Sequence, residues 1–237
     1  MNAWPSLQTI LLDGWIIRMA DGFSKRANSV NMIHSFDNDL ENKINYCENI
    51  FRKHGLPIIY KIVECDEHKI IDYKLETLFY EKIDVISVQI SNDFTNYSIP
   101  KNIIIENDFS ENWKKCLFEC KKINDERIIK TKENMVKNIK HDKICVHKMN
   151  GKHTVGCGYG VIEKEYIGLF DINVKNEERG KGYGKEIVGA ILSKAKDTGI
   201  NKAHLFVENG NIVAKKLYEQ FGFKELYKSW FRIKENG

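Results

Sequence analysis

Three glycines two positions apart, Gly180, Gly182 and Gly184, stand between an extended apolar run, residues 166–174, and a segment with helical periodicity, residues 184–196. A strand that enters a glycine-rich turn and leaves it as a helix belongs to a sheet covered by helices. Glycine permits backbone conformations and close approaches that a Cβ forbids. The first N–H groups of the following helix lack intrahelical acceptors and gather at the positive end of its dipole. Such a corner suits a diphosphate, and Arg179 and Lys181 add charge to it. Ile187, Val188, Ile191 and Ala195 share one face of the helix, and Gly199 ends it. Spacing excludes two rival phosphate-binding turns. A Walker loop needs Gly-Lys followed by Ser or Thr, whereas the two Gly-Lys pairs here precede Gly182 and Glu186. A dinucleotide fingerprint needs GxGxxG in the first βα unit, whereas this GxGxG lies near the C-terminal end. A plain glycine-rich surface turn stays open at this point.

Periodicity elsewhere agrees with an α/β or α+β chain carrying a mixed sheet. Residues 11–30 read as strand-rich, with turns at Asp13-Gly14 and Asp21-Gly22. Helices are expected at 39–54, 71–80, 113–122, 128–139 and 212–220, and strands at 56–63, 85–90, 103–105, 144–149, 154–162, 203–207 and 223–233. The polar stretch 91–101, with Pro100, is the best candidate linker, which divides the chain into residues 1–97 and 98–237. The halves share a frame of helix stop, strand, helix, aromatic and strand, at 55–80 and again at 199–223. On that register His68 falls opposite Asn211 and Leu75 opposite Tyr218, so the first copy keeps the frame without the polar groups.

Composition bounds the partners. A net charge of +4, with Lys and Glu interspersed, shows no basic stripe for nucleic acid. No stretch approaches the length of a membrane span and no signal segment opens the chain, so a soluble cytoplasmic protein is expected. The cysteines Cys47, Cys65, Cys116, Cys120, Cys145 and Cys157 form no CxxC pair and read as reduced thiols. His141, His147 and His153 lack ligand spacing, and no metal is expected.

The turn Arg179-Gly180-Lys181-Gly182-Tyr183-Gly184 resembles the Arg/Gln-x-x-Gly-x-Gly/Ala signature of the GNAT superfamily of N-acetyltransferases. Downstream, residues 211–223 match the superfamily's pattern Asn-x-x-Ala-x-x-Leu-Tyr-x-x-x-Gly-Phe at Asn211, Ala214, Leu217, Tyr218, Gly222 and Phe223. The resemblance covers residues 101–237. Residues 4–30 look like the N-terminal part of a bacterial subgroup whose first GNAT-like domain is degenerate. It implies a mostly antiparallel sheet flanked by helices, duplicated in tandem, with a degenerate half at 1–97 and a catalytic half at 98–237. It also implies acetyl-CoA as cosubstrate. The diphosphate would then lie on Arg179, Gly180, Lys181, Gly182, Tyr183 and Gly184, and the pantetheine arm on Ile172, Asn173, Val174 and Asn211. The Val174 N–H would polarise the thioester carbonyl, and Tyr218 would protonate the leaving thiolate. From spacing alone, Tyr218 reads rather as a core tyrosine, and Asn211 can be a plain helix N-cap, a role compatible with holding the arm.

The acceptor side is less determined. Asp171 and Glu163 are candidate general bases, with a water relay as the alternative. Trp15, Arg18, Arg26 and Asn28 are candidate acceptor-binding residues, and Arg18 or Arg26 could hold a carboxylate; an aromatic core strand with a charged edge is the competing reading. The expected reaction is direct acetyl transfer to a primary amine of a small molecule or peptide, in a monomer or homodimer. The alternative is a non-catalytic acyl-CoA sensor on the same fold.

Overall fold

The computed structural model describes residues 1–34, 39–94 and 97–235. Strands β1 (Gln8–Leu12), β2 (Trp15–Met19) and β3 (Ser29–Met32) lead into α1 (Leu40–Lys53), β4 (Ile58–Val63), α2 (Asp66–Thr77) and β5 (Glu81–Ser91). The second half runs β6 (Ile103–Glu106), α3 (Glu111–Lys121), α4 (Glu126–Lys137), β7 (Lys143–Asn150), β8 (His153–Glu163) and β9 (Tyr166–Val174). It closes with α5 (Tyr183–Lys196), β10 (Lys202–Glu208), α6 (Ile212–Glu219) and β11 (Lys224–Lys234). Most expected elements fall within a few residues of their predicted bounds. Helix α2 starts earlier than expected, because the polar turn Asp66-Glu67-His68-Lys69 shows no apolar period; its acidic residues favour the helix start through the dipole. No helix among the described residues is long and apolar enough to cross a membrane.

The strands form one eleven-stranded sheet in the order β1-β2-β3-β4-β11-β5-β10-β9-β8-β7-β6. All neighbours pair antiparallel except β3 with β4 and β9 with β10, which are joined through α1 and α5. The order is near-symmetric about the β5–β11 contact. Each half ends in a strand that pairs with the other half: β5 lies against β10, and β11 against β4. Within the 91–101 stretch, of which residues 95 and 96 lie outside the described residues, two aromatic side chains pack against the second half. Phe94 is fully buried in the second half's core, and the Tyr97 ring lies against Gly189 of α5.

Strand β8 separates two core layers. Cys157, Tyr159 and Val161 face α3 and α4, in a cluster with Trp113, Leu117 and Met135. On the other face, Gly156, Gly158 and Gly160 leave a groove for α5. A Cβ on Gly160 would lie 2.4 Å from Ile167 Cδ1 and 2.7 Å from Ile191 Cγ2, both on fully buried side chains. The glycines bring α5 close to the sheet, and with it the turn that precedes this helix. We expect Gly160→Ala to destabilise the protein by about 1–3 kcal/mol through overpacking, read as a lower urea midpoint at unchanged m-value.

Candidate active site

Strand β9 pairs with β10 only from Tyr166 to Leu169; past that point the two strands part. The cause is visible in the register of β9 on its other neighbour. Phe170 lies opposite Tyr159 and Asn173 opposite Cys157, so Asp171 and Ile172 together face Gly158. This bulge holds Asp171 at φ +48°, in the left-handed region, and bends the strand. Gly158 is required opposite it, because a Cβ there would come within 2.5 Å of Ile172 Cδ1.

A cleft of about 530 Å3 opens where the strands diverge. Residues 169–173 line one wall and Phe206, Val207 and Glu208 the other, with Asn211, Ala214 and Tyr218 beside them. Trp4, Arg26 and Lys61 close it from the N-terminal half. Past Leu169, β9 has no strand partner on this side among the described residues, so it presents a main-chain edge to the cleft.

The Asp171 side chain is almost fully buried. Lys121 of α3 donates to its Oδ1 at 2.5 Å, and Lys132 of α4 stands 2.8 Å from Oδ2. Burial alone would raise its pKa; the two ammonium groups outweigh that and hold the carboxyl well below the usual carboxylate range. A carboxylate so stabilised is a poor proton acceptor at neutral pH. Lys132 also stands 3.7 Å from the centre of the Trp4 ring, which joins the N-terminal segment to the same cluster. Glu163 ends β8, past the bulge that faces Gly158 in mid-strand, accepts a hydrogen bond from Asn2 at 2.8 Å, and does not line the cleft.

Tyr218 lines the cleft without a hydrogen-bond partner among the described residues, its ring set against Phe223. Burial pushes its phenol up to about 12, so the hydroxyl keeps its proton. Asn211 caps α6, its Oδ1 accepting from the Ala214 N–H at 3.0 Å, and also lines the cleft. Glu208, at the end of β10, lines the cleft with no ion-pair partner among the described residues; nothing in its local sequence marked it.

At the glycine turn, Gly180 and Gly182 have φ of +78° and +83°, and no atom lies within 4 Å of where a Cβ would stand. Backbone conformation, not crowding, demands glycine there, and the space in front is open. Gly184 differs: its constraint is helix packing, with Leu217 Cδ2 at 3.3 Å. Arg179 donates through Nε to the Val174 carbonyl at 3.3 Å, and Lys181 pairs with Glu178 at 2.8 Å. Ile172 and Asn173 line the cleft, and Val174 ends the strand opposite Gly156.

The expected acceptor residues separate. Trp15 is buried in the core of the first half. Arg18 is buried too, donating to the carbonyls of Trp4 and Arg26. Asn28 accepts from the Ala20 and Gly22 N–H groups and donates to the Ser24 carbonyl, fastening the turn between β2 and β3. These three hold the N-terminal segment in place and do not line the cleft. Arg26 does. Its guanidinium carbon lies 5.0 Å from the ring centres of both Trp4 and Phe206. Among the described residues, no group of three or more His, Cys, Asp or Glu is arranged to hold a metal ion.

Comparison with known proteins points one way. A family model described as "Probable histone acetyltransferase Rv0428c C-terminal" matches residues 1–231. The uncharacterized N-acetyltransferase YobR of Bacillus subtilis is 24% identical over 242 residues, spanning 98% of this chain and 94% of YobR. Among solved structures, a GCN5-related N-acetyltransferase from Kribbella flavida superposes with a TM-score of 0.72 at 12% identity, over 98% of this chain and 91% of its own. A tandem GNAT protein from the clavulanic acid biosynthesis pathway gives 0.66 at 10% identity, over 88% and 75%.

The Asp171 cluster makes a separable prediction. Asp171→Asn leaves the buried Lys132 without its counter-charge and should destabilise the fold by about 3 kcal/mol or more at neutral pH. The carboxylate's contribution is present above its unfolded pKa of about 4 and is lost as pH falls toward the lower folded value. The gap between the two proteins' denaturation curves should therefore begin to close below about pH 4 and shrink further as pH falls toward the folded value.

Proposed function

Because the chain belongs to the GNAT superfamily of N-acetyltransferases, through the family whose model spans residues 1–231, we propose that it moves an acetyl group from acetyl-CoA directly to a primary amine, with both substrates held together in the cleft between β9 and β10. The observation that carries this reading is the parting of those strands beyond Leu169, with Tyr218 beside the gap.

The residues at this corner fit such a donor. The open, positive-φ turn at Gly180 and Gly182 precedes the N-terminus of α5, where main-chain N–H groups suit a diphosphate. Arg179 and Lys181 supply charge at the same place. The free edge of β9, at Ile172, Asn173 and Val174, suits the amides of a pantetheine arm. Asn211 has its side-chain oxygen engaged by the Ala214 N–H, which leaves its amide N–H groups for the same arm. When bound, the donor supplies an acyl group activated as a thioester.

In this reading the Val174 N–H polarises the acyl oxygen and stabilises the charge that develops on it. The amine nitrogen forms its bond to the acyl carbon while the carbon–sulfur bond breaks. Glu208 accepts the proton the nitrogen sheds, directly or through a water, and Tyr218 donates the proton the sulfur takes up. Glu208 takes the base role because it lines the cleft unpaired, whereas Asp171 is bound by two lysines and Glu163 lies elsewhere. Asp171 acts on position instead, holding the bend of β9. The division at 97/98 belongs to the same reading: residues 98–237 carry the donor site, and residues 1–97, a degenerate copy, supply a wall of the acceptor side.

Free-thiol release from acetyl-CoA, measured with and without a panel of amines, tests the proposal. We expect amine-dependent release; tight binding of acetyl-CoA with no turnover on any amine would instead make the protein a sensor. Tyr218→Phe should lower kcat roughly ten- to a thousandfold while the KM for acetyl-CoA stays close to wild type. Glu208→Gln should lower kcat/KM for the amine about a hundredfold at pH 7. Part of that loss should return at higher pH, as the amine sheds its proton unaided.

A further inference from the structure

Five basic side chains come from the walls of the cleft or stand directly behind them, and three are matched. Lys25 pairs with Asp84 at 2.9 Å, and Lys121 and Lys132 share Asp171. Arg26 and Lys61 are not. Among the described residues neither meets a carboxylate within ion-pair distance, and neither side chain donates a hydrogen bond. Their contacts are aromatic: Lys61 Nζ lies 5.2 Å from the centre of the Phe206 ring, the same ring that flanks Arg26. Burial, reinforced by the charges of Arg26 and Arg18, pulls the Lys61 ammonium down to about 8. Two like charges partly withdrawn from water beside one ring work against each other; the aromatic faces and, for Arg26, the charge of Asp171 offset this without supplying a carboxylate at bonding distance. Asp171 and Asp84 already have cations of their own, and Glu208, which lines the same cleft, makes no ion pair with either residue.

We propose that Arg26 and Lys61 form a carboxylate-binding subsite, so that the acetylated amine belongs to an amino acid or a comparable small molecule carrying both groups. This rests on the cleft being the transfer site. Both residues come from the N-terminal half and line the cleft that Tyr218 lines, whereas the glycine turn lies outside it; they face the acceptor rather than the donor's phosphates. The planar fork of Arg26, held between Trp4 and Phe206, matches a carboxylate in two parallel hydrogen bonds, and Lys61 adds a second charge. A cleft of about 530 Å3 that must also admit the donor's arm favours a small acceptor.

Matched acceptors test this. Amino acids and their carboxamides, together with aminoalkyl phosphates of similar length, would be compared by kcat/KM in thiol release. The wild-type protein should prefer acid over amide by about tenfold or more. Lys61→Met and Arg26→Met should each bring that ratio close to one, and Lys61→Arg should keep it. Calorimetry with N-acetylated amino acids, which need no turnover, gives a second readout: binding to wild type, and its loss in Lys61→Met. Removing a half-buried cation that has no ion-pair partner among the described residues should raise the melting temperature of Lys61→Met, or leave it unchanged, which separates lost recognition from lost folding. Equal wild-type rates for acid and amide, a preference that survives both methionine substitutions, or faster reaction of the phosphates would each overturn the proposal. If no amine of any series releases thiol, the transferase reading fails, and the calorimetric arm still decides whether the carboxylate subsite exists.

Discussion

The buried carboxylate of Asp171 is the point on which the cleft hangs. Its residue has a left-handed backbone in the middle of a strand, an arrangement that an L-residue adopts only when its surroundings over-determine it. Here α3 and α4 each send one lysine to it, and the aromatic ring of Trp4 covers one of the two. With Asp171 held, Ile172 is displaced into the second position of the bulge, β9 turns away from β10, and a main-chain edge is left without a strand. Asp171, a candidate base in the sequence, is held between two lysines at the bend of β9.

The two halves of the chain are not stacked side by side. Their terminal strands are exchanged, with β11 seated between β4 and β5 and β5 against β10. Strand β4 brings Lys61 to the cleft between β9 and β10, while the turn after β2 brings Arg26. Of the residues that the sequence frame sets opposite one another, His68 on α2 accepts from the Val63 N–H and Leu75 is buried, whereas Asn211 and Tyr218 line the cleft. The half without those polar groups still shapes the surface an acceptor would meet.

Much of this was legible locally. The run from Tyr166 to Tyr218 contains two strands, a turn demanding positive φ and two amphipathic helices, each written in neighbouring residues. What escaped sequence reasoning was long-range. Arg18 and Asn28 have the composition of binding residues, but their partners are carbonyls and N–H groups brought close by the turn between β2 and β3. Lys61 alternates within an apolar strand like any solvent-facing lysine, and only the exchanged sheet order puts it in a cleft. Glu208 ends a strand in the manner of many surface carboxylates, and is set apart by having no ion-pair partner among the described residues. The alternating glycines of β8 were a signal available in the sequence, since every second side chain along one face is missing where a helix must come close.

The placement of β11 also bears on how the protein comes into being. During synthesis β4 and β5 leave the ribosome well before the strand that belongs between them. Until it arrives, both carry unpaired main-chain edges, one of them beside a hydrophobic layer already able to form. Sheets that wait for a late central strand are slow to close and prone to recruiting a neighbour's strand in its stead. For this chain, the integrity of the N-terminal half is thus a matter of timing at the C-terminal end.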